Sequence, residues 1–234
     1  RKVSYYDHCR YRNFEGVVIV CANFNDPDVI ELMNSELPVV TIDYVHHNCS
    51  AISSNNIQGI EELVKYIYSQ GHRKIAYIHG QEGSTVTRDR LASFYRTMDE
   101  LGLHVSDKYV RTANYLETKG AAEQTGQLLD LPDPPTCIIY PDDTSLIGGR
   151  NVIIERGMKI PQDISVAGYD GTQISQILYP KLTTIKQNTE LIGEEAAIRL
   201  VGAIEKPKTT LVERVVIEGN LVPGQSVGMI QVDE

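Results

Sequence analysis

Ile164-Ser165-Val166-Ala167-Gly168-Tyr169 is a run of small and branched side chains that stops on Asp170. It is too short for a helix and suits a strand buried on both faces. Four other runs have the same form. They are 16–21 ahead of Asn23, 38–42 ahead of Asp43, 74–79 ahead of Gly80, and 137–140 ahead of Asp142 and Asp143. Each reads as a parallel strand, and small ligands in such sheets sit outside the carboxyl ends of strands. The polar residues that end the runs therefore trace a binding crevice.

Helical patterns separate the strands, which makes the chain α/β. Asp26-Pro27, a cap followed by proline, opens a helix to about Met33. Further helices are expected over 56–70, 86–101, 118–131, 144–156 and 189–205. Gly71, Gly102 and Gly157 stand in the left-handed stop position after three of them. A late strand is expected over 211–217. Pro132-Asp133-Pro134-Pro135 reads as a stiffened helix-to-strand loop.

The chain has 234 residues, a hydrophobic fraction of 41% and a formal charge of −9, so it resembles an ordinary globular protein. That charge argues against a nucleic-acid grip within these residues, because such affinity needs clustered Lys and Arg. No apolar stretch is long enough to span a membrane. Four scattered cysteines fit a reducing cytoplasm better than a disulfide framework. His46, His47 and Cys49 lack the spacing of a metal site and read as a polar loop. Gly224-Gln225-Ser226-Val227-Gly228 spells a nucleophile elbow, but Pro223 precedes it and the last histidine is His104. No phosphate-binding loop is present, so neither a metal nor a cofactor is expected.

Arg88 and Arg90 lie near the start of a helix, where the macrodipole disfavours cations. Arg90 shares a helical face with Phe94 and should point inward, either to a structural ion pair or to a ligand. Its forked donors suit vicinal hydroxyls or a carboxylate. Of the adjacent Asp142 and Asp143, one is expected to face a ligand and one to cap the following helix. Tyr115 and Phe24, both in loops, are placed either to stack on a sugar face or to anchor their loops.

Four motifs taken together resemble the effector-binding core of LacI/GalR-type bacterial transcription regulators. They are Gly71-His72-Arg73-Lys74-Ile75-Ala76-Tyr77-Ile78, Arg90-Leu91-Ala92-Ser93-Phe94, the stretch 160–170, which begins Ile160-Pro161-Gln162-Asp163, and Pro180-Lys181-Leu182-Thr183-Thr184-Ile185-Lys186-Gln187. Their order and spacing cover essentially the whole chain. The resemblance implies two Rossmann-like lobes of periplasmic-binding-protein type I, joined by three crossovers, with a ligand cleft between them. It places 1–53 with 187–213 in the first lobe and 54–186 with 214–234 in the second. The strand and helix that open such a core, and the helix-turn-helix DNA-binding domain ahead of them, have no counterpart in these residues.

By the same resemblance Arg90 is the effector clamp, Asp170 accepts bonds from sugar hydroxyls, and Asp43 is a polar position on the other lobe. Asp142 stands where an asparagine is usual, which makes a donor-acceptor amide into an acceptor. Gly171 replaces an acid, and Thr189 an aromatic. The candidate ligand-binding residues are therefore Arg90, Asp170, Asp142, Asp43, Tyr115, Asn23, Phe24 and Gln187. The expected ligand is a sugar or polyol. The expected partners are a second copy of the chain and, through the DNA-binding domain, operator DNA. A secreted or lipid-anchored solute-binding protein feeding a transporter shares the fold and is the alternative. An enzyme ranks third, since no acid and base with matched roles are visible.

Overall fold

The computed structural model describes residues 3–231. In chain order the elements are α1 (Tyr5–Tyr11), β1 (Val17–Ile19), α2 (Pro27–Met33), β2 (Val39–Ile42), β3 (Ser50–Ser54), α3 (Asn56–Ser69), β4 (Ile75–His79) and α4 (Thr85–Glu100). Next come a short 3-10 turn (Asp107–Tyr109), β5 (Val110–Thr112), α5 (Thr118–Leu129), β6 (Cys137–Ile139), α6 (Asp143–Glu155), β7 (Ser165–Ala167) and α7 (Gln173–Ile177). The last are β8 (Thr184–Lys186), α8 (Thr189–Glu205), β9 (Arg214–Ile217) and β10 (Asn220–Val222). All five runs read as strands are strands, and every expected helix is present. Gly71, Gly102 and Gly157 have φ of 93°, 69° and 73°, the left-handed conformation that their stop positions require.

Two compact units result. One is formed by the residues up to Asn55 with Asn188–Glu218, the other by Asn56–Gln187 with the segment from Gly219. The first unit has a parallel sheet in the order β1-β2-β3-β9. Cys9, Val29, Leu32 and Met33 from α1 and α2 pack with Ile19 and Val39 in one core cluster, and Ile192 and Ala196 from α8 pack with Val40, Ile52 and Ile217 in another. The late strand changes one chain boundary. Ala51 to Ser54 pair in parallel with Arg214 to Ile217, so these residues belong to the first unit rather than the second. The chain passes back after Glu218, not after residue 213.

The second unit has a parallel sheet in the order β5-β4-β6-β7. Period-two alternation divides its side chains cleanly. Ile75, Tyr77, Cys137 and Ile139 join Ile60, Leu63, Ile67, Phe94 and Met98 of α3 and α4. Ala76, Ile78, Ile138 and Tyr140 join Leu128, Leu146 and Ile153 of α5 and α6. Because both faces are buried, the strands read as continuous apolar runs. The helices α5 and α6 approach closely at Gly148, where an added Cβ would lie 1.9 Å from Thr118 O.

The final segment closes this unit. β10 pairs antiparallel with β8. Ser226, fully buried, donates from Oγ to Val166 O (2.6 Å) and accepts from Thr183 N (2.9 Å). The elbow-like motif is thus a structural clasp. His72 ties the same region together: Nε2 donates to Gly228 O (3.0 Å), which leaves Nδ1 as acceptor for the Thr136 hydroxyl (2.8 Å) in the neutral ring.

Candidate functional site

The second unit gathers Arg90, Asp170, Gln187 and Tyr115 around the carboxyl ends of its strands. α4 is capped by Ser84, whose side chain accepts from Thr87 N, and two turns of amphipathic helix carry Arg90 and Phe94 to the same inner face. Arg90 is 3% exposed and Phe94 fully buried. Burying a guanidinium is costly unless its donors are met. Here Nε donates to Asn56 Oδ1 (2.8 Å) at the start of α3, and an Nη donates to Pro141 O (3.0 Å) in the loop after β6. The Tyr169 ring lies 3.5 Å from the guanidinium carbon, a cation–π floor supplied by the end of the 164–169 run. These three contacts fix the plane of the fork.

Asp170 faces it. Its carboxylate Oδ1 stands 3.9 Å from the second Nη of Arg90, beyond hydrogen-bond reach. Oδ1 accepts instead from Gln187 Nε2, while Gln187 N donates to Asp170 O (3.2 Å). Asp170 Oδ2 makes no hydrogen bond among the described residues, and the side chain is 26% exposed. Burial raises the Asp170 pKa above the usual carboxylate range, against the opposing pull of Arg90 and Gln187. The residue is held at φ 97°, a conformation few side chains adopt and one that costs free energy. Its backbone bridge to Lys186 and the bond from Gln187 hold it there.

Tyr115 forms a wall. Its ring lies against the backbone of Gly80, where a Cβ would come within 2.1 Å of the ring, and its hydroxyl bonds Thr87 Oγ1 (2.9 Å). The ring centroid is 5.8 Å from the Arg90 guanidinium carbon.

The expectation for Asp142 is corrected. It is 1% exposed; Oδ1 caps α6 at Ser145 N (2.8 Å), and Oδ2 accepts from Leu116 N (2.9 Å) and Ser145 Oγ (2.8 Å). Both oxygens serve protein donors. Its neighbour Asp143 is no more available to a ligand, since it accepts from Thr172 N (2.8 Å), Thr172 Oγ1 (3.0 Å) and Thr184 Oγ1 (2.8 Å). Burial pushes the Asp143 pKa up to about 6, although Thr184 and Thr172 pull it down. Asp143 thereby pins the loop that carries Asp170. Arg88 is a surface residue with a loose pair to Asp89 (3.4 Å).

In the first unit, Asn23 is exposed and its Oδ1 accepts from Asn25 N (3.1 Å). Phe24 stacks on Tyr44 with centroids 4.1 Å apart and planes 3° from parallel. Asp43 follows β2 at φ 59°, and its Oδ1 accepts from Ser54 N (3.2 Å). Among the described residues, no group of three His, Cys, Asp or Glu is placed to hold a metal ion. Cys49 is buried and directed at Met33 O (3.7 Å).

The sequence reading missed Asn56 and Tyr169. Tyr169 was absorbed into a strand run, and Asn56 looked like a helix start. The position of each beside the clamp arginine emerges only from tertiary packing.

A parallel sheet covered by helices on both faces, with polar side chains converging beyond its strand ends, defines a lobe of the periplasmic-binding-protein fold. Residues 64–227 match the family model for the periplasmic binding protein-like domain. The chain is 29% identical over 210 residues to the HTH-type transcriptional repressor PurR of Pasteurella multocida (strain Pm70), covering 88% of this chain and 62% of that one. The structure of a LacI transcriptional regulator from a Rhodococcus species matches with a TM-score of 0.84 at 26% identity, over 94% of this chain and 81% of that one. A LacI family regulator from Enterococcus faecium with bound ribose matches with a TM-score of 0.86 at 20% identity, over 98% and 85%. The chain belongs to the periplasmic binding protein-like domain family, in the form that makes up the core of LacI-type regulators. It spans about three fifths of the length of the curated relatives it matches.

Proposed function

We propose that this chain is the effector-sensing, dimerising core of a LacI-type transcription regulator, and that its second unit takes an uncharged sugar or polyol between Arg90 and Asp170. One observation carries the reading: a buried guanidinium and a carboxylate face each other at 3.9 Å without bonding. One hydroxyl of a diol fits as acceptor from the open Nη of Arg90, and the next as donor to Asp170 Oδ2. The pair sums to zero charge, which favours an uncharged guest. The ribose bound to the Enterococcus faecium regulator supports this class of ligand.

The relatives named as repressors favour regulation over transport. Operator binding belongs to segments beyond these residues, and a cytoplasmic homodimer is the working form. A ligand changes operator affinity only through a difference in its affinity for two conformations. Among the described residues no helix is long and apolar enough to cross a membrane.

The test is calorimetric titration of the chain with D-ribose and a panel of neutral pentoses and hexoses, with Arg90→Met beside it. Saturable binding of a neutral sugar that is lost in the variant supports the reading. Binding untouched by Arg90→Met, or conversion of the sugar to a product, refutes it.

A further inference from the structure

Asp170 and Gly171 have φ of 97° and 65°, two successive residues in conformations that side chains disfavour. Such a turn persists only where its surroundings fix it. Here the fixing contacts converge on Asp143, the first residue of α6. On the far side of the turn its Oδ2 accepts from Thr172 N (2.8 Å) and Thr172 Oγ1 (3.0 Å), and its Oδ1 accepts from Thr184 Oγ1 (2.8 Å) on β8. On the near side Asp143 N donates to Tyr169 O (2.9 Å), and Gly168 passes so close that an added Cβ would lie 2.2 Å from Asp143 Oδ1. Thr184 Oγ1 also accepts from Gly171 N (3.3 Å). Asp143 thus grips both flanks of Asp170.

The grip depends on charge. An ionised carboxylate accepts at both oxygens, whereas a protonated one turns one oxygen into a donor. The Thr172 N–H cannot reverse to meet it, and charge-assisted bonds become neutral ones of roughly half the strength. Burial holds the Asp143 pKa at about 6, which sets where the exchange occurs. The charged groups nearby are otherwise engaged. Asp170 opposes ionisation of Asp143, while Asp142 turns its carboxylate to Ser145 and Leu116. Arg90 is taken up by Asn56, Pro141 and the Tyr169 ring. Lys186 of β8 and Lys119 and Glu123 of α5 are exposed, and β7 and α7 carry no titratable side chain.

We infer that Asp143 is a positioning residue for the ligand: its ionised carboxylate holds Asp170 in the shape that accepts a sugar hydroxyl, and proton uptake by Asp143 weakens sugar binding. This deepens the reading of Asp170 as hydroxyl acceptor and rests on it. By reciprocity, sugar binding expels the proton from Asp143. The competent fraction falls from nearly all at pH 7.5 to about a tenth at pH 5, so the apparent Kd should rise about tenfold.

The test has two arms. Without sugar, NMR follows the Gln187 side-chain amide in Asp170→Asn, where residue 170 has no proton of its own to lose and keeps its bond from Gln187. That signal should shift with the carbon-13 midpoint of the Asp143 carboxyl. In the second arm, calorimetry with D-ribose and the neutral-sugar panel at pH 7.5 and pH 5 compares the native chain with Asp143→Asn. The native Kd should rise about tenfold at the lower pH; Asp143→Asn should bind at pH 7.5 about as weakly as the native chain at pH 5, and change less than about threefold between them. A Gln187 signal that stays still across the Asp143 midpoint overturns the inference, whether or not a sugar binds. So does a tenfold loss at pH 5 that survives in Asp143→Asn. If no sugar binds at either pH while the Gln187 signal follows Asp143, the sugar reading fails and the positioning of residue 170 by Asp143 is upheld. The first arm leaves Asp143 unchanged, so it decides if Asp143→Asn does not fold.

Discussion

Asp170→Asn separates ligand recognition from fold stability. Asparagine tolerates positive φ better than most residues, and its Oδ1 keeps the bond from Gln187, so the charge is what changes. At 3.9 Å the attraction to Arg90 is about 4 kcal/mol at an effective dielectric near 20. Burial opposes it and prevails, since the Asp170 pKa lies above its ordinary value. A carboxylate whose folded pKa is raised binds its proton more readily in the folded state, so its ionised form at neutral pH disfavours folding. Removing the charge should therefore leave stability within about 1 kcal/mol of the native chain or slightly above it, a shift of at most about 4 °C in Tm. Ligand affinity should respond differently, because a charged acceptor for a hydroxyl is lost, worth about 1.5–3 kcal/mol or roughly tenfold to a hundredfold in Kd. Scanning calorimetry and titration with the sugar that binds the native chain give both numbers. An unchanged Kd, or a fall in Tm of about 10 °C or more, would show that Arg90 and Asp170 form a structural pair.

Other outcomes follow from the same geometry. Arg90→Met removes the bonds to Asn56 Oδ1 and Pro141 O, and urea unfolding should show a loss of about 2–4 kcal/mol. Gly148→Ala sets a methyl group 1.9 Å from a backbone oxygen of α5, which cannot swing aside; urea unfolding should register a loss of about 3 kcal/mol or more. Carbon-13 titration should place the Asp143 midpoint near pH 6. Its folded pKa is raised, so this group adds stability as pH falls from about 6 toward 4. His72 acts oppositely. Burial lowers its pKa, so its contribution is lost as pH falls below about 6.5, and His72→Asn should be less sensitive than the native chain between pH 7.5 and 5.5.

The strands were legible where both faces are buried, because 75–78 and 137–140 hold only apolar and tyrosine side chains and 164–169 carries only one small polar residue, Ser165. β3 escaped notice for a related reason. Its Ser-Ala-Ile-Ser-Ser is small and polar, yet it sits between β2 and β9, where small side chains pack under flanking helices. β8 and β10 are three residues each, too short for any period to show. At the site, Arg90 was legible from its helical face and Asp170 from its place at a strand end. That Asp142 and Asp143 are both taken up by the protein's own donors was not, because that depends on Leu116 N and the loop at Thr172, both distant in sequence.

The clasp made by Ser226 has a consequence for how the chain is manufactured. A ribosome that has delivered everything to Gln187 has made every helix of the second unit. Val166 N and O and Thr183 N still lack the partners that Ser226 gives them, and Val227 is missing from the core. The first unit is no further ahead, because α8 and β9 arrive only with residues 189–217. Folding during synthesis cannot finish one half before starting the other, and both wait for segments that lie beyond Gln187, 189–217 for the first unit and Ser226 and Val227 for the second.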